Sequence, residues 1–114
     1  MKDDSLYLIH ISECIARIEN YVADKNQDDF LGSYLIQDAV LRNLQILAES
    51  TQRLSSAIKD AHPVVPWRKI AGLRNILVHD YLGISLKQIW LLVEKDLPGL
   101  KSEIRLMRRE VGAE

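Results

Sequence analysis

Five polar side chains crowd into the last eight residues of an otherwise apolar stretch, Leu73-Arg74-Asn75-Ile76-Leu77-Val78-His79-Asp80-Tyr81. A histidine titrates near neutrality, so it can take a proton from a ribose 2′-hydroxyl or return one to a leaving oxygen. A permanently charged arginine binds a phosphate and stabilises the charge that builds on it during transfer. Together they suit RNA cleavage without a metal. At 100° per residue Asn75 and His79 share one helix face, and so do Arg74 and Tyr81. Arg74 and His79 fall about 140° apart on an ideal helix. They meet on one small ligand only if the helix end distorts or a second chain completes the site. The competing reading is structural: Arg74 and His79 bond to neighbouring helices, and the Tyr81 ring caps the core.

Other chemistries lack their residues. The sequence holds no Gly-rich phosphate loop, no His-Glu-x-x-His, no nucleophile elbow and one cysteine, Cys14. A single thiol excludes an internal disulfide framework and a Cys-based zinc site within one chain. Asp3-Asp4 and Asp28-Asp29 read as helix caps and polar loop rather than metal ligands. His10 reads as a half-exposed helical residue and His62, before Pro63, as a helix terminus. We expect neither a metal nor a cofactor.

The elements that must position Arg74–Tyr81 are helical. Leu8, Ile11, Ile15, Ile18 and Val22 line one face of a helix from about Asp4 to Asp24. A short helical turn around Phe30 fits between the polar run 25–29 and Gly32-Ser33. From Tyr34 a broad apolar face (Ile36, Val40, Leu44, Leu47, Leu54 and Ile58, with Leu35, Ala39 and Ile46 beside it) predicts one long helix. It should end at His62, because the residue before proline is pushed out of the helical region. Pro63-Val64-Val65-Pro66 follows as an extended connector. A third helix is expected from Trp67 to Leu82 with Pro66 opening it and Gly83 stopping it. Ser85 and Gln88 make a capping-box pattern for a fourth helix. Asp96-Leu97-Pro98 should break or restart it before a last segment, Leu100 to about Arg109. The expected fold is all-α, a four-helix bundle with one additional short or split helix.

Length and composition agree with this. At 114 residues, with 47% hydrophobic and 27% charged, one domain over 1–114 is expected. No apolar run approaches the ~20 residues of a membrane span, and the start is too acidic for a signal peptide. A cytoplasmic, reducing compartment is the expectation. The formal net charge of −1 conceals an asymmetry: residues 1–67 carry −4 and residues 68–109 carry +5. The basic half can attract a polyanion, or the halves can simply meet. Apolar residues spread over several helix faces also predict a homodimer, since a bundle this small has few places to bury them.

At Arg74-x4-His79-x-Tyr81 the sequence resembles the HEPN superfamily, specifically its HepT-like toxins with their R-x4-H-x-Y motif. Asp38-Ala39-Val40-Leu41-Arg42-Asn43-Leu44, Pro66-Trp67-Arg68-Lys69-Ile70-Ala71-Gly72-Leu73-Arg74-Asn75 and Asp96-Leu97-Pro98 extend the likeness across the chain. Leu82-Gly83-Ile84-Ser85 departs mildly from the Phe-Gly-Val-Asp flavour expected there. The resemblance implies a HEPN-type bundle acting as a homodimeric, metal-independent endoribonuclease, the toxin of a type VII-like toxin–antitoxin pair. By that likeness Arg74 and His79 form the catalytic pair in a cleft shared by two protomers, and Asn75 supports the cleft. Tyr81 matches the tyrosine to which an MntA-like nucleotidyltransferase antitoxin transfers AMP. Arg68, Lys69, Arg105, Arg108 and Arg109 are candidates for contacts to the RNA backbone. The alternative the likeness leaves open is a non-catalytic module that binds a nucleotidyltransferase partner or its nucleotide.

Overall fold

A carboxylate opens the first helix. Asp3 accepts hydrogen bonds from the Ser5 amide at 3.1 Å and hydroxyl at 2.6 Å, and α1 runs Asp4–Val22. The computed structural model describes residues 3–112, and the termini of the expected 1–114 domain lie outside them. α2 (Gln27–Leu31) begins in a complete capping box between Asn26 and Asp29. α3 (Tyr34–Gln52) is capped by Ser33. α4 (Ser56–Ala61), α5 (Trp67–His79), a 3₁₀ turn (Tyr81–Gly83), α6 (Leu86–Leu91) and α7 (Leu97–Glu110) complete the chain. Among the described residues there is no strand, and no helix is long and apolar enough to cross a membrane.

α3 packs against both α1 and α5, while α7 packs on α1. The all-α bundle is as expected, short helix at Phe30 included, with α4 as a further short helix. Leu8, Ile11, Ile15 and Ile18 of α1 meet Val40, Leu44 and Leu47 of α3 and Ile104 and Met107 of α7 in one buried cluster. Each such side chain contributes about 1.5–3 kcal/mol by leaving water. Phe30 is fully buried, its ring 5.6 Å from that of Trp90 on α6, so the short α2 helps to close the bundle. Cys14 is buried too, and burial pushes its thiol up, which suits packing rather than reactivity.

Two boundaries ahead of α5 differ from expectation, each for a local reason. The helix expected from Tyr34 to His62 is two helices. Ser55 interrupts it by donating its amide and hydroxyl to the Asp4 carboxylate, at 2.8 and 2.6 Å, while its oxygen accepts from Ile58 N–H. Pro63–Pro66 is a turn, not an extended link, closed by the Val65 N–H on the His62 carbonyl at 3.2 Å. Asp96-Leu97-Pro98 restarts the helix as expected, α7 beginning at Leu97 with Pro98 in its first turn, and a π-helical turn, Leu92–Asp96, joins it to α6. The wider turn accommodates the missing donor and the ring of Pro98. Leu35, expected beside the buried stripe, is 81% exposed. Ser55→Ala removes a cap and a charge-assisted bond together, so we expect a loss of about 2 kcal/mol in urea unfolding. A midpoint unchanged from the parent contradicts that role.

Candidate active site

The head of α5 is pinned before its polar end is reached. Trp67 Nε1 donates to the carbonyls of Lys59 and His62, at 3.2 and 3.1 Å, tying the first turn of α5 to α4. His62 is itself 8% exposed and lies between two carboxylates of α7, with Nε2 2.8 Å from Glu110 and Nδ1 3.1 Å from Glu103. It caps α4 as expected, but its burial was not legible from the sequence. An imidazolium donates to both acids, whereas a neutral ring turns a lone pair on one of them. The bond to Glu110, against desolvation and helped by Glu103, therefore holds the His62 pKa above its ordinary 6.5.

That sign sets a pH dependence. A raised folded-state pKa adds stability in full below the unfolded value, and the contribution is lost as pH rises through the folded pKa. We expect the melting temperature of the parent, relative to a His62→Gln variant, to fall by a few degrees as pH rises from 6 through the alkaline side of neutrality. Parallel curves for the two proteins exclude the clamp.

α5 ends at His79, not at Leu82. Asp80 leaves the helical region (φ −141°, ψ 48°), and its carbonyl accepts the Gly83 amide at 3.0 Å. Its carboxylate folds over Gly83, where a Cβ would stand 2.6 Å from Oδ2. The apolar pattern misled at Leu82, which is 98% exposed and contributes nothing to the core. The helix end therefore distorts between His79 and Tyr81, and Arg74 and Tyr81 do not sit on consecutive turns of one helix.

Arg74 is partly sheltered, with its Nη1 donating to Asn75 Oδ1 at 3.2 Å and Nη2 3.7 Å from Glu49 of α3. Its Nε is buried without a hydrogen-bond partner. Asn75 is exposed, so its amide steadies the guanidinium from the solvent side. His79 is exposed, and among the described residues its imidazole has no hydrogen-bonding partner. Tyr81 reaches across to α3 and donates its hydroxyl to Asp38 Oδ1 at 3.5 Å. Burial, then the Asp38 charge and this bond, push the phenol above its usual value. The structure thus brings Arg74 to Asn75 and Tyr81 to α3, and leaves His79 open to an incoming group.

Asp38 and Glu49 were not among the residues expected at the site. They stand eleven apart, about 20° around a helix, so Asp38, Arg42, Gln45 and Glu49 form one stripe along α3. Its two acids meet the two ends of the α5 motif. That periodicity is visible in the sequence, but nothing there says which helix the stripe faces.

The basic candidates separate. Arg68 is exposed in the first turn of α5, and Lys69 borders an apolar groove of about 580 Å³ between α5 and α7. Arg105 and Arg108 line a different groove, between α7 and α1, and Arg109 is exposed at the end of α7. The two oppositely charged halves meet in Lys101–Glu19 at 2.9 Å and Arg74–Glu49. Around the motif the surface is apolar: Ile76, Val78 and Leu82, with Tyr34 and Leu35 one turn before Asp38, are exposed. Leu77 is the one buried residue of α5. Among the described residues no group of three or more His, Cys, Asp or Glu side chains gathers as a metal site would require.

Residues 11–107 match the family model described as Ribonuclease HepT-like. A Methanocaldococcus jannaschii relative named "Gamma-glutamylcyclotransferase and putative RNase" is 40% identical over 110 residues, 96% of this chain and 50% of its own length. The chain therefore spans half of that protein. A Thermococcus cleftensis relative named "Probable ribonuclease HepT" is 35% identical over 103 residues, 90% of this chain and 94% of its own. One from Shewanella oneidensis, named "mRNA nuclease HepT", is 26% identical over 88% of this chain and 92% of its own. No solved structure matches the chain.

Proposed function

The chain belongs to the HepT-like ribonuclease family, and from that premise we propose that it is a metal-independent endoribonuclease whose catalytic pair is Arg74 and His79. The observation that carries this reading is the end of α5, where an anchored guanidinium stands within two turns of an unpartnered, exposed imidazole. His79 takes the proton of the ribose 2′-hydroxyl, and the freed oxygen attacks the adjacent phosphorus. The bond to the 5′-oxygen breaks, and that oxygen leaves with a proton from an imidazolium. Arg74 binds the non-bridging oxygens as their charge grows, and Asn75 holds it in place. The products are a 2′,3′-cyclic phosphate and a 5′-hydroxyl.

Two copies complete the site in this reading. Arg74 and His79 lie about 140° apart around α5, and among the described residues Ile76, Val78 and neighbouring Leu82 stay exposed. Pairing two chains over this face buries those residues and brings each Arg74 toward the other copy's motif. The single domain, the toxin role and silencing by AMP transfer to Tyr81 from an MntA-like nucleotidyltransferase complete the proposal. Purified protein should cut RNA in excess chelator and leave cyclic-phosphate ends, read by end-specific labelling. Cleavage that stops with chelator, or 3′-hydroxyl products, overturns the mechanism.

A further inference from the structure

Gly72 stands where a helix least tolerates glycine. It is the sixth residue of the thirteen in α5, whereas the other glycines lie at helix ends, in the 3₁₀ turn or in the first turn of α7. Without a side chain it loses more backbone entropy on folding than alanine and weakens the helix. That cost returns no packing within the chain, since a Cβ built there meets no atom within 4 Å. Its neighbours on the helix surface, three and four residues away on either side, are Arg68, Lys69, Asn75 and Ile76, all exposed. Among the described residues Arg68 and Lys69 have neither an ion pair nor a hydrogen bond. Asn75 gives its oxygen to Arg74, which leaves its amide hydrogens for an acceptor. A glycine that lets two helices cross closely is set among small or apolar side chains. This one is set among two cations and an amide. Arg68, Gly72, Asn75 and His79, at spacings of four, three and four, fall within about 60° around α5 and form one row about 16 Å long.

We propose that this row is the track of the RNA strand, and that Gly72 is the point where the ribose–phosphate chain lies directly on α5 on its way to His79. This rests on the ribonuclease reading above and adds to it a contact made by a residue without a side chain. Arg68 and Lys69 hold phosphates on the far side of Gly72 from the cut bond, and Asn75 donates to the strand between Gly72 and His79. A side chain at position 72 lifts the strand away from all three. The track is one wall of the cleft that two copies share, and only RNA that extends several nucleotides beyond the cut bond uses it.

The test is Gly72→Leu, with Gly72→Ala as the milder step. Both should melt a few degrees higher than the parent, since each puts a better helix former into open space. Binding is read in a His79→Ala background, in which bound RNA survives. Fluorescence anisotropy with a single-stranded RNA of about 30 nucleotides should show Gly72→Leu binding about tenfold more weakly, the equivalent of one lost charge-assisted bond, and Gly72→Ala in between. Arg68→Gln should make the slope of log affinity against log salt shallower by about 0.7. With His79 intact, Gly72→Leu should raise KM for the longer RNA and affect a dinucleotide far less, because a dinucleotide ends short of position 72. A more stable protein that binds its substrate worse is an outcome that a purely structural glycine does not produce. Equal affinity in Gly72→Leu and its parent overturns the proposal. So does a lower melting temperature, which assigns the glycine to the fold, or conversion of a dimer to a monomer in light scattering, which assigns it to contact between copies. Binding that depends on Gly72 in a parent that cuts no RNA sustains the track and defeats the ribonuclease reading instead.

Discussion

His79→Ala should lower RNA cleavage by about 10²- to 10⁴-fold, the usual contribution of a positioned general acid–base group. The protein should keep its helical circular dichroism and its melting temperature. The side chain is exposed at the last turn of α5 and among the described residues bonds to nothing, so its removal leaves neither a cavity nor an orphaned partner. Activity and stability therefore separate cleanly at this position. Arg74→Ala is the necessary contrast. It removes the proposed phosphate ligand and also frees Glu49 and Asn75, so some stability should be lost with the activity. Lysine at position 74 keeps the charge and loses the fork that reaches both neighbours, so it should recover only part of the rate. Undiminished cleavage by His79→Ala removes the proposed mechanism.

Transfer of one AMP to Tyr81 should silence the enzyme at least a hundredfold, with a mass gain of about 329 Da per chain in intact mass spectrometry. In the proposed transfer the phenol oxygen attacks the α-phosphorus of ATP, pyrophosphate leaves with the electron pair of its P–O bond, and the phenol proton passes to a base or to water. Asp38 gives the reaction a structural consequence. Its carboxylate lies 3.5 Å from the unmodified hydroxyl, so a phosphodiester on that oxygen places two negative charges side by side. That repulsion drives the adduct off α3, and its bulk and negative charge beside the motif oppose the entry of an RNA phosphate. Tyr81→Phe should show no mass gain and should cleave RNA within a few-fold of the parent, whether or not the nucleotidyltransferase is present. Full activity in protein carrying one AMP per chain excludes this mode of silencing.

The motif and the bundle were legible because each is written locally. Hydrophobic spacing located the buried faces of α1 and α3, and Asp3 and Ser85 marked helix starts that the structure retains. The short helix at Phe30 was legible as well, from the polar run before it and Gly32-Ser33 after it. Misplaced boundaries have two causes, a partner distant along the chain or a local distortion, and periodicity registers neither. Ser55 breaks a good helical pattern because Asp4, fifty-one residues away, takes its hydrogen bonds. Leu82 continues a good apolar pattern into solvent because Asp80 has already left the helix.

The chemistry of Arg74, Asn75, His79 and Tyr81 belongs to the sequence, since residue type sets charge, proton affinity and nucleophilicity, and spacing sets their order along α5. Which groups they answer to was decided by the tertiary structure. Glu49 beside Arg74, Asp38 beside Tyr81, and the two glutamates around His62 are contacts between helices. Helical periodicity specifies which residues share a face, but the neighbour that face receives depends on how the helices pack. The 140° separation of Arg74 and His79, an objection when read from one ideal helix, becomes in the folded chain a reason to look for a second copy, because α5 buries so little of itself within its own bundle.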